Sequence, residues 1–263
     1  MMRLTMVFLA LSLVLAACAL PGEDGRPTRR DRPLLVSAAV SLSGVMETLT
    51  TDYTRRTGTA VELNLAASTV LAIQIIAGAR VDLFVSADLF QMDRVAAEGL
   101  IRSGTRVDLL SNQLVVVVPA DVTASVTSPA MLLQPMFGRI AVGDPDGVPV
   151  GVYARAYLES VGLWDRLKVR LVPGRSARAV LATVEVGAVD AGIVYRTDAR
   201  SSDGVREVFE VPVAEGSAIS YPAALTTQGT NPAAAEQLLR YLQSAKARAV
   251  FEQAGFIVPE SQQ

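Results

Sequence analysis

The sequence contains no histidine, and Cys18 is its single cysteine. Without histidine, the Ser-His-Asp and Cys-His arrangements of nucleophilic catalysis are excluded, as is every histidine-based zinc site. A single cysteine excludes disulfides within the chain. Neither sign of charge is in excess, because 24 Lys and Arg stand against 26 Asp and Glu. No strong overall field therefore favours a nucleic-acid partner, and we expect none.

Apolar residues are abundant by contrast, and they make up 51% of the 263 residues. This is enough for a sizeable core in one domain or in two small lobes. The first apolar run, Met6 to Ala17, follows a short basic start and ends in small residues directly before Cys18. The segment resembles the bacterial lipoprotein signal, in which residues 1–17 are removed and Cys18 is lipidated. An ordinary secretory signal with an incidental cysteine is the alternative.

Residues 18–33 predict a tether between the lipidated Cys18 and the folded protein. The segment contains Pro21, Pro27 and Pro33 together with charges of both signs. Such a composition cannot bury enough apolar surface to fold, so we expect a solvated spacer. The preceding apolar run is too short to span a bilayer, which takes ~20 residues. The protein is therefore expected outside the cytoplasm, attached to the cell membrane through its lipid anchor.

Strand-like and helix-like periods alternate from residue 34 onward. The predicted strands are 34–36, 61–65, 81–86, 113–118, 139–142, 169–172 and 191–195, with extended segments at 208–211 and 219–226. The predicted helices begin near 45, 70, 87, 152, 177, 232 and 245, and most of them end at a glycine. Such alternation predicts parallel sheets that are covered by helices on both faces. We expect two α/β lobes, one made of residues 34–112 and 222–263 and the other of residues 113–221.

Two of the strand-to-helix junctions are rich in small hydroxylated residues. The first contains Ser41 and Ser43, and the second contains Ser68. A junction of this kind gathers free backbone N–H groups, hydroxyls and the positive end of a helix dipole, which suits an anion. The alternative is that these serines only cap their helices. Because ligands bind at the carboxyl ends of parallel strands, we expect both junctions to open on the same edge.

Five motifs, in order and with similar spacing over residues 34–258, resemble those of the periplasmic molybdate-binding protein family. That family supplies the substrate-binding component of an ABC importer. The motifs are Ala38-Ala39-Val40-Ser41-Leu42, Ala66-Ala67-Ser68, the run from Val81 to Asp88, Gly143-Asp144-Pro145 with Val148-Pro149-Val150-Gly151, and Gly192-Ile193-Val194-Tyr195. The resemblance implies a two-lobed periplasmic-binding-protein-like fold, in which each lobe is a sheet flanked by helices and the ligand cleft lies between the lobes.

The resemblance also implies which residues hold the ligand, a tetrahedral molybdate or tungstate ion bound by uncharged donors. Ser41 and Ser68 would each give a hydroxyl and a backbone N–H, Val150 and Ala177 a backbone N–H, and Tyr195 its phenolic O–H. The family commonly has Ala where Val150 stands and Val where Ala177 stands, so the pocket wall is expected to differ in shape. No cofactor and no directly bound cation are implied. Donors without acceptors would also reject protonated phosphate species.

The partners implied by the resemblance are the oxyanion and the permease subunits of an ABC importer, to which a monomer would deliver it. This is not an enzymatic role. Other interpretations stay open: a receptor of the same fold for another oxyanion such as sulfate, an extracellular hydrolase or transferase on this fold, or the effector-sensing half of a transcription regulator.

Arg175 and Arg178 flank Ala177 and either contact the anion or form a solvated helix face. A cation receptor would use carboxylates near turns and helix starts, namely Asp82, Asp88, Asp144 and Asp146.

Overall fold

The computed structural model describes residues 32–213 and 218–259. The predicted signal peptide, Cys18 and all of the predicted tether except its last two residues lie outside these ranges. In the part of the chain that is described, no helix is both long and apolar enough to cross a bilayer.

The described strands form two sheets of five strands each. The first sheet has the order β2-β1-β3-β10-β4 and the second the order β7-β6-β8-β5-β9. The strands are β1 (Leu34–Ala39), β2 (Val61–Ala66), β3 (Leu83–Val85), β4 (Val107–Leu110), β5 (Leu114–Pro119), β6 (Ile140–Gly143), β7 (Leu171–Gly174), β8 (Ala191–Tyr195), β9 (Val205–Glu210) and β10 (Tyr221–Leu225).

Each sheet combines three parallel strands with two antiparallel pairings. In the first sheet, β1 runs parallel to β2 and β3, whereas β10 runs antiparallel to β3 and β4. In the second sheet, β6 runs parallel to β7 and β8, whereas β5 runs antiparallel to β8 and β9. The sequence predicted only parallel sheets. The reason for the difference is that β5 and β10 are the strands that follow each crossing of the chain between the sheets, without a βα crossover to set their direction.

Helices follow most of the parallel strands and cover the sheets. They are α1 (Ser43–Thr57), α2 (Ser68–Ile76), α3 (Leu89–Ala97), α4 (Pro149–Ser160), α5 (Trp164–Leu167), α6 (Ala177–Glu185), α7 (Arg196–Arg200), α8 (Pro232–Leu242) and α9 (Ala245–Gln253). Short 3-10 turns occupy Val40–Leu42, Pro129–Leu133 and Lys168–Arg170. The Asn231-Pro232 start of α8 is confirmed, because the Asn231 side chain accepts a hydrogen bond from the Ala234 N–H at 3.3 Å.

The cores lie where the helices pack on the sheets. β5 is buried along its whole length, and β1 is buried at every position but one, as expected for central strands covered on both faces. Burial of such apolar side chains contributes about 25 cal/mol per Å² of apolar surface and holds the parallel strands with their carboxyl ends at one edge. The described chain crosses between the sheets twice, from β4 to β5 and from β9 to β10. Near the first crossing, Ser111 pairs with Ile257.

Candidate functional site

Each sheet has three parallel strands, and the carboxyl ends of these six strands meet at one small cavity. Its volume is about 230 Å³, counting the part that is open to solvent. The space open to the centre of a water-sized sphere is only about 10 Å³, which suits a small ion better than a drug-sized molecule. All five predicted site residues line this cavity. The lining residues are Ala39, Val40, Ser41, Ala66, Ala67, Ser68, Ala87, Val148, Pro149, Val150, Ala177 and Tyr195.

Three of the helix starts at this cavity have no capping side chain. The residues before the 3-10 turn, α2 and α4 are Ala39, Ala67 and Val148, and none of them accepts a side-chain hydrogen bond from its helix. Away from the cavity lining, Asp88, Asn231 and Ser244 cap α3, α8 and α9. A helix start without a cap leaves backbone N–H groups unpaired and carries the positive end of the helix dipole. These three starts therefore present N–H donors to whatever lies in the cavity.

The fourth helix start, that of α6, is partly capped. Ser176 accepts a hydrogen bond from the Ala179 N–H at 3.2 Å, and its carbonyl accepts one from the Val180 N–H at 3.1 Å. Ala177, the first residue of α6, is buried at the cavity wall. Its N–H is one of the first-turn donors that a helix cannot satisfy internally.

Two glycines allow the start of α4 to reach the cavity. A Cβ on Gly151 would overlap the carbonyl group of Gly143, and a Cβ on Gly143 would lie 2.7 Å from the Gly151 nitrogen. The end of β6 and the first turn of α4 are therefore in direct backbone contact. This contact places Val150, the second residue of α4 and 1% exposed, at the cavity wall.

The hydroxyl of Ser68 is oriented by a neighbouring backbone. Ser68 is the first residue of α2 and is 1% exposed. Its Oγ accepts a hydrogen bond from the Ala87 N–H at 2.9 Å. A hydroxyl has one proton and two lone pairs, so this bond leaves the Ser68 proton to be donated. Ala87 also lines the cavity, which puts the hydroxyl at its wall.

The hydroxyl of Ser41 belongs to a buried polar group that the sequence pattern did not indicate. Ser41 Oγ lies 3.3 Å from Tyr221 Oη, and Asn112 Nδ2 donates to the same Tyr221 oxygen at 3.1 Å. Asn112 and Tyr221 lie at the two crossings between the sheets, far from Ser41 in sequence. Neither the spacing of apolar residues nor a strand-to-helix junction could have connected these residues, because they are distant in sequence and meet only in the folded chain.

The hydroxyl of Tyr195 is buried and forms no hydrogen bond with any described residue. Tyr195 is the last residue of β8 and lines the cavity, with its ring centroid 5.8 Å from that of Tyr221. Burial, together with nearby acidic and phenolic groups, raises the pKa of Tyr195 well above its usual value. The phenol therefore stays protonated and can donate. A buried hydrogen-bond donor without a partner lowers the stability of the folded protein. An unpaired hydroxyl at a cavity wall therefore indicates that a ligand binds there.

Arg178 does not form the solvated helix face that the sequence suggested. Its Nε lies 3.4 Å from the carboxylate of the fully buried Asp198, and its other nitrogens donate to Ser201 at 2.8 Å and to Ser43 at 3.3 Å. Burial raises the pKa of Asp198 to about 7, against the lowering effect of Arg178. Because Ser43 begins α1 and Arg178 lies on α6, this guanidinium links the two lobes. Arg175 is exposed.

The four candidate cation ligands have other partners and do not converge. Asp82 accepts hydrogen bonds from the backbone N–H groups of Leu35 and Thr230 at 2.9 and 2.7 Å. Asp88 caps α3, accepting from the Gln91 N–H at 2.8 Å. Asp144 accepts from the N–H of Asp146, whose own carboxylate pairs with Arg155 at 3.2 Å. Across residues 32–213 and 218–259, no group of three acidic, histidine or cysteine side chains could hold a metal ion.

The fold and the site together define a class of protein. Two sheets of matching topology, with helix starts that face one cavity from both sides, form the two-lobed fold of periplasmic binding proteins. The wall of that cavity carries N–H and O–H donors and no formal charge. It can surround a small anion with oriented dipoles, and nothing in its lining provides a nucleophile with an adjacent base.

The chain belongs to the family of bacterial extracellular solute-binding proteins, whose model matches residues 34–257. It is 38% identical to the molybdate-binding protein ModA of Escherichia coli K12 over 255 residues, which cover 95% of each chain. It is 33% identical to ModA of Haemophilus influenzae over 225 residues, or 84% of this chain and 88% of the relative. The solved periplasmic molybdate-binding protein of Azotobacter vinelandii is 26% identical, with a TM-score of 0.79, and the match covers 86% of this chain and all of that one.

Proposed function

We propose that this protein captures molybdate or tungstate between its lobes and delivers it to an ABC importer. The observation that carries the proposal is the buried, unpaired hydroxyl of Tyr195 in a cavity whose other walls are uncapped helix starts and serine hydroxyls. The molybdate-binding relatives named above give the particular oxyanion. The family of transport receptors also supports a role that is not enzymatic.

The donors proposed to hold the anion come from both lobes. Ser41 and Ser68 supply a hydroxyl and an N–H each, Val150 and Ala177 an N–H each, and Tyr195 its O–H. Each charge-assisted hydrogen bond contributes roughly 1.5–3 kcal/mol. About seven such bonds support sub-micromolar affinity after the cost of association is subtracted. Val150 and Ala177 act through the backbone, so their side chains shape the wall without changing the donors.

Sulfate is the second candidate ligand, because it is also a tetrahedral dianion and the same donors can bind it. The relatives favour molybdate, and the size of the closed cavity would decide between the two ions. The deciding experiment is calorimetric titration of the purified protein with molybdate, tungstate, sulfate and phosphate. We expect molybdate and tungstate to bind at least about a hundredfold more tightly than sulfate, a difference of about 2.7 kcal/mol. Tighter binding of sulfate would contradict the assignment.

The site itself is tested by Ser68→Ala. This change removes one hydroxyl donor and leaves the Ala87 N–H without its acceptor, so molybdate affinity should fall by about 1–3 kcal/mol. Ser103→Ala is the matched control, because Ser103 is exposed in a turn and does not line the cavity. Equal affinity of the two variants in calorimetry would place the site elsewhere.

Delivery and anchoring complete the proposal. We infer that the lobes comprise residues 34–112 with 222–263, and residues 113–221, and that a monomer presents the closed lobes to the permease. Lipidation of Cys18 would hold the protein at the membrane, with residues 18–33 as the tether. The substitution Cys18→Ser should release the protein from the membrane fraction in cells without changing its molybdate affinity. Continued membrane attachment of this variant would contradict lipidation at Cys18.

A further inference from the structure

Asn112, Tyr221 and Ser41 form a chain of hydrogen bonds that ends at the cavity. All three side chains are buried, with exposures of 3%, 0% and 7%. The Asn112 amide nitrogen lies 2.9 Å from Thr197 Oγ1 and 3.1 Å from Tyr221 Oη, and Tyr221 Oη lies 3.3 Å from Ser41 Oγ. The chain therefore connects a residue at the first crossing between the sheets with a wall of the cavity.

The direction of each hydrogen bond in this chain follows from Asn112. Its carbonyl oxygen accepts a hydrogen bond from the Gln113 N–H at 2.8 Å, which identifies the other side-chain atom as the amide nitrogen. That nitrogen has two protons, which go to Thr197 and Tyr221. The Tyr221 oxygen is thus an acceptor towards Asn112. Either hydroxyl could donate across the 3.3 Å contact between Tyr221 Oη and Ser41 Oγ, but among the described residues Ser41 is the acceptor within reach of the Tyr221 proton. Because a buried proton without an acceptor is costly, we assign the Tyr221 proton to Ser41 Oγ. Ser41 in turn must direct its proton elsewhere. Its side chain lines the cavity, and it also borders a second pocket that Arg178 and Thr197 line, so the cavity is the side on which an anion can accept this proton.

We propose that Tyr221, held by Asn112, is a positioning residue that contributes to specificity by directing the Ser41 proton towards the bound anion. The inference rests on the proposed function, since it concerns the same oxyanion site. A serine hydroxyl can both donate and accept. With one lone pair bound by Tyr221, Ser41 offers the guest a proton, as Ser68 does because the Ala87 N–H occupies its oxygen.

The consequence is discrimination between oxyanions by protonation state. A fully deprotonated dianion such as molybdate accepts hydrogen bonds at all of its oxygens. Hydrogenphosphate carries an O–H that needs an acceptor, and a wall of donors leaves that proton unpaired. Without the Tyr221 hydroxyl on one of its lone pairs, the Ser41 hydroxyl is freer to rotate and to turn a lone pair towards such a guest. Tyr221 would then contribute to selectivity without contacting the ligand.

The test compares Tyr221→Phe with the wild-type protein in calorimetric titrations with molybdate and with phosphate at pH 7. We expect the variant to bind molybdate at least about fivefold more weakly than the wild type does, and to bind phosphate no more weakly. The ratio of the phosphate dissociation constant to the molybdate dissociation constant should therefore fall. The matched control is Tyr53→Phe. Tyr53 is also buried and also bonded at 3.3 Å, but to the Ala234 carbonyl away from the cavity lining, and this change should leave both affinities unaltered.

A double-mutant cycle separates positioning from general support of the fold. In a Ser41→Ala background, Tyr221 has no hydroxyl to orient, so Tyr221→Phe should change the molybdate dissociation constant by less than about twofold. Equal effects of Tyr221→Phe in both backgrounds, or an equal loss of molybdate and phosphate binding, would overturn the inference. A wild-type protein that binds no molybdate at all would overturn the proposed function, and this inference with it.

Discussion

At the residue scale, Tyr195 is the clearest case of a group whose role differs between the free protein and a ligand complex. Its hydroxyl is buried and has no partner among the described residues, so the free protein gains nothing from it. The same O–H can donate to an oxyanion in the cavity. Its raised pKa keeps the proton in place throughout the physiological range.

We therefore expect Tyr195→Phe to lower molybdate affinity without lowering stability. Removal of an unpaired buried hydroxyl leaves the free energy of unfolding unchanged or slightly higher, whereas loss of one donor weakens binding by about 1–3 kcal/mol. Urea unfolding of the free protein and calorimetry with molybdate measure the two quantities separately. A variant that is destabilised but binds normally would show that the phenol has a structural role instead.

The site residues differ in how far the sequence could predict them. Ser41 and Ser68 were indicated by local pattern, because each stands where an apolar strand gives way to a helix. Val150, Ala177 and Tyr195 followed from motif resemblance, and the structure brings all five to one cavity. Tyr221 and Asn112 could not be predicted, because Tyr221 is 180 residues from Ser41 and 109 from Asn112. Contacts of such separation depend on how the two crossings are packed.

At the element scale, the junction between β6 and α4 combines close packing with ligand binding. The first turn of α4 carries Val150 to the cavity only because Gly143 and Gly151 have no side chains to separate the two backbones. In the sequence, this junction is the motif Gly143-Asp144-Pro145 with Val148-Pro149-Val150-Gly151. The helix begins at Pro149, earlier than the predicted Val152, because proline is favoured in the first helical turn.

We expect Gly151→Ala to damage both stability and binding. Its Cβ would overlap the Gly143 carbonyl group, so β6 and α4 must separate, at a cost of about 1–3 kcal/mol in the free energy of unfolding. The Val150 N–H would move with the helix, and molybdate affinity should fall as well. Gly44→Ala is the control within α1, because a Cβ there has no atom within 4 Å and alanine favours helix. Urea unfolding that gave the same stability for both variants would contradict this account.

Other elements show where sequence patterns stop being informative. The strand predicted at 169–172 is shifted to Leu171–Gly174, because Lys168–Arg170 forms a 3-10 turn after the short helix α5. Strand β4 and helix α7 were not predicted, since runs of four and five residues carry too little periodicity to separate strand from helix. The strands that follow each crossing were located, but their antiparallel direction depends on the path of the chain between the sheets.

At the scale of the whole molecule, the burial of the Asp198 carboxyl links stability to pH, and the neighbouring Arg178 reduces the effect. Burial raises the pKa of Asp198 to about 7, from 3.8 in the unfolded chain, so the folded state binds the proton more tightly. Stability from this group is fully present below about pH 4 and is lost as the pH rises through about 7.

We expect Asp198→Asn to remove this part of the pH dependence. The difference in the free energy of unfolding, variant minus wild type, should grow by about 1.4 kcal/mol for each pH unit from pH 5 to about pH 7, the pKa of Asp198 in the folded protein. Between about pH 7 and pH 8 the difference should level off. Denaturant unfolding of both proteins at several pH values measures this difference. A constant difference across the range would mean that Asp198 titrates at its ordinary pKa.

The uncharged lining of the cavity has one more consequence, which concerns ionic strength. A site built from lysine or arginine attracts chloride and buffer anions, and a specific guest must displace them, so added salt weakens binding. Here the wall consists of backbone amides, hydroxyls and small apolar side chains. Dipoles of this kind act over a few ångströms and collect no counter-ion atmosphere. Capture should therefore proceed almost equally well in dilute and in salty surroundings, a useful property for a receptor whose medium the cell does not control.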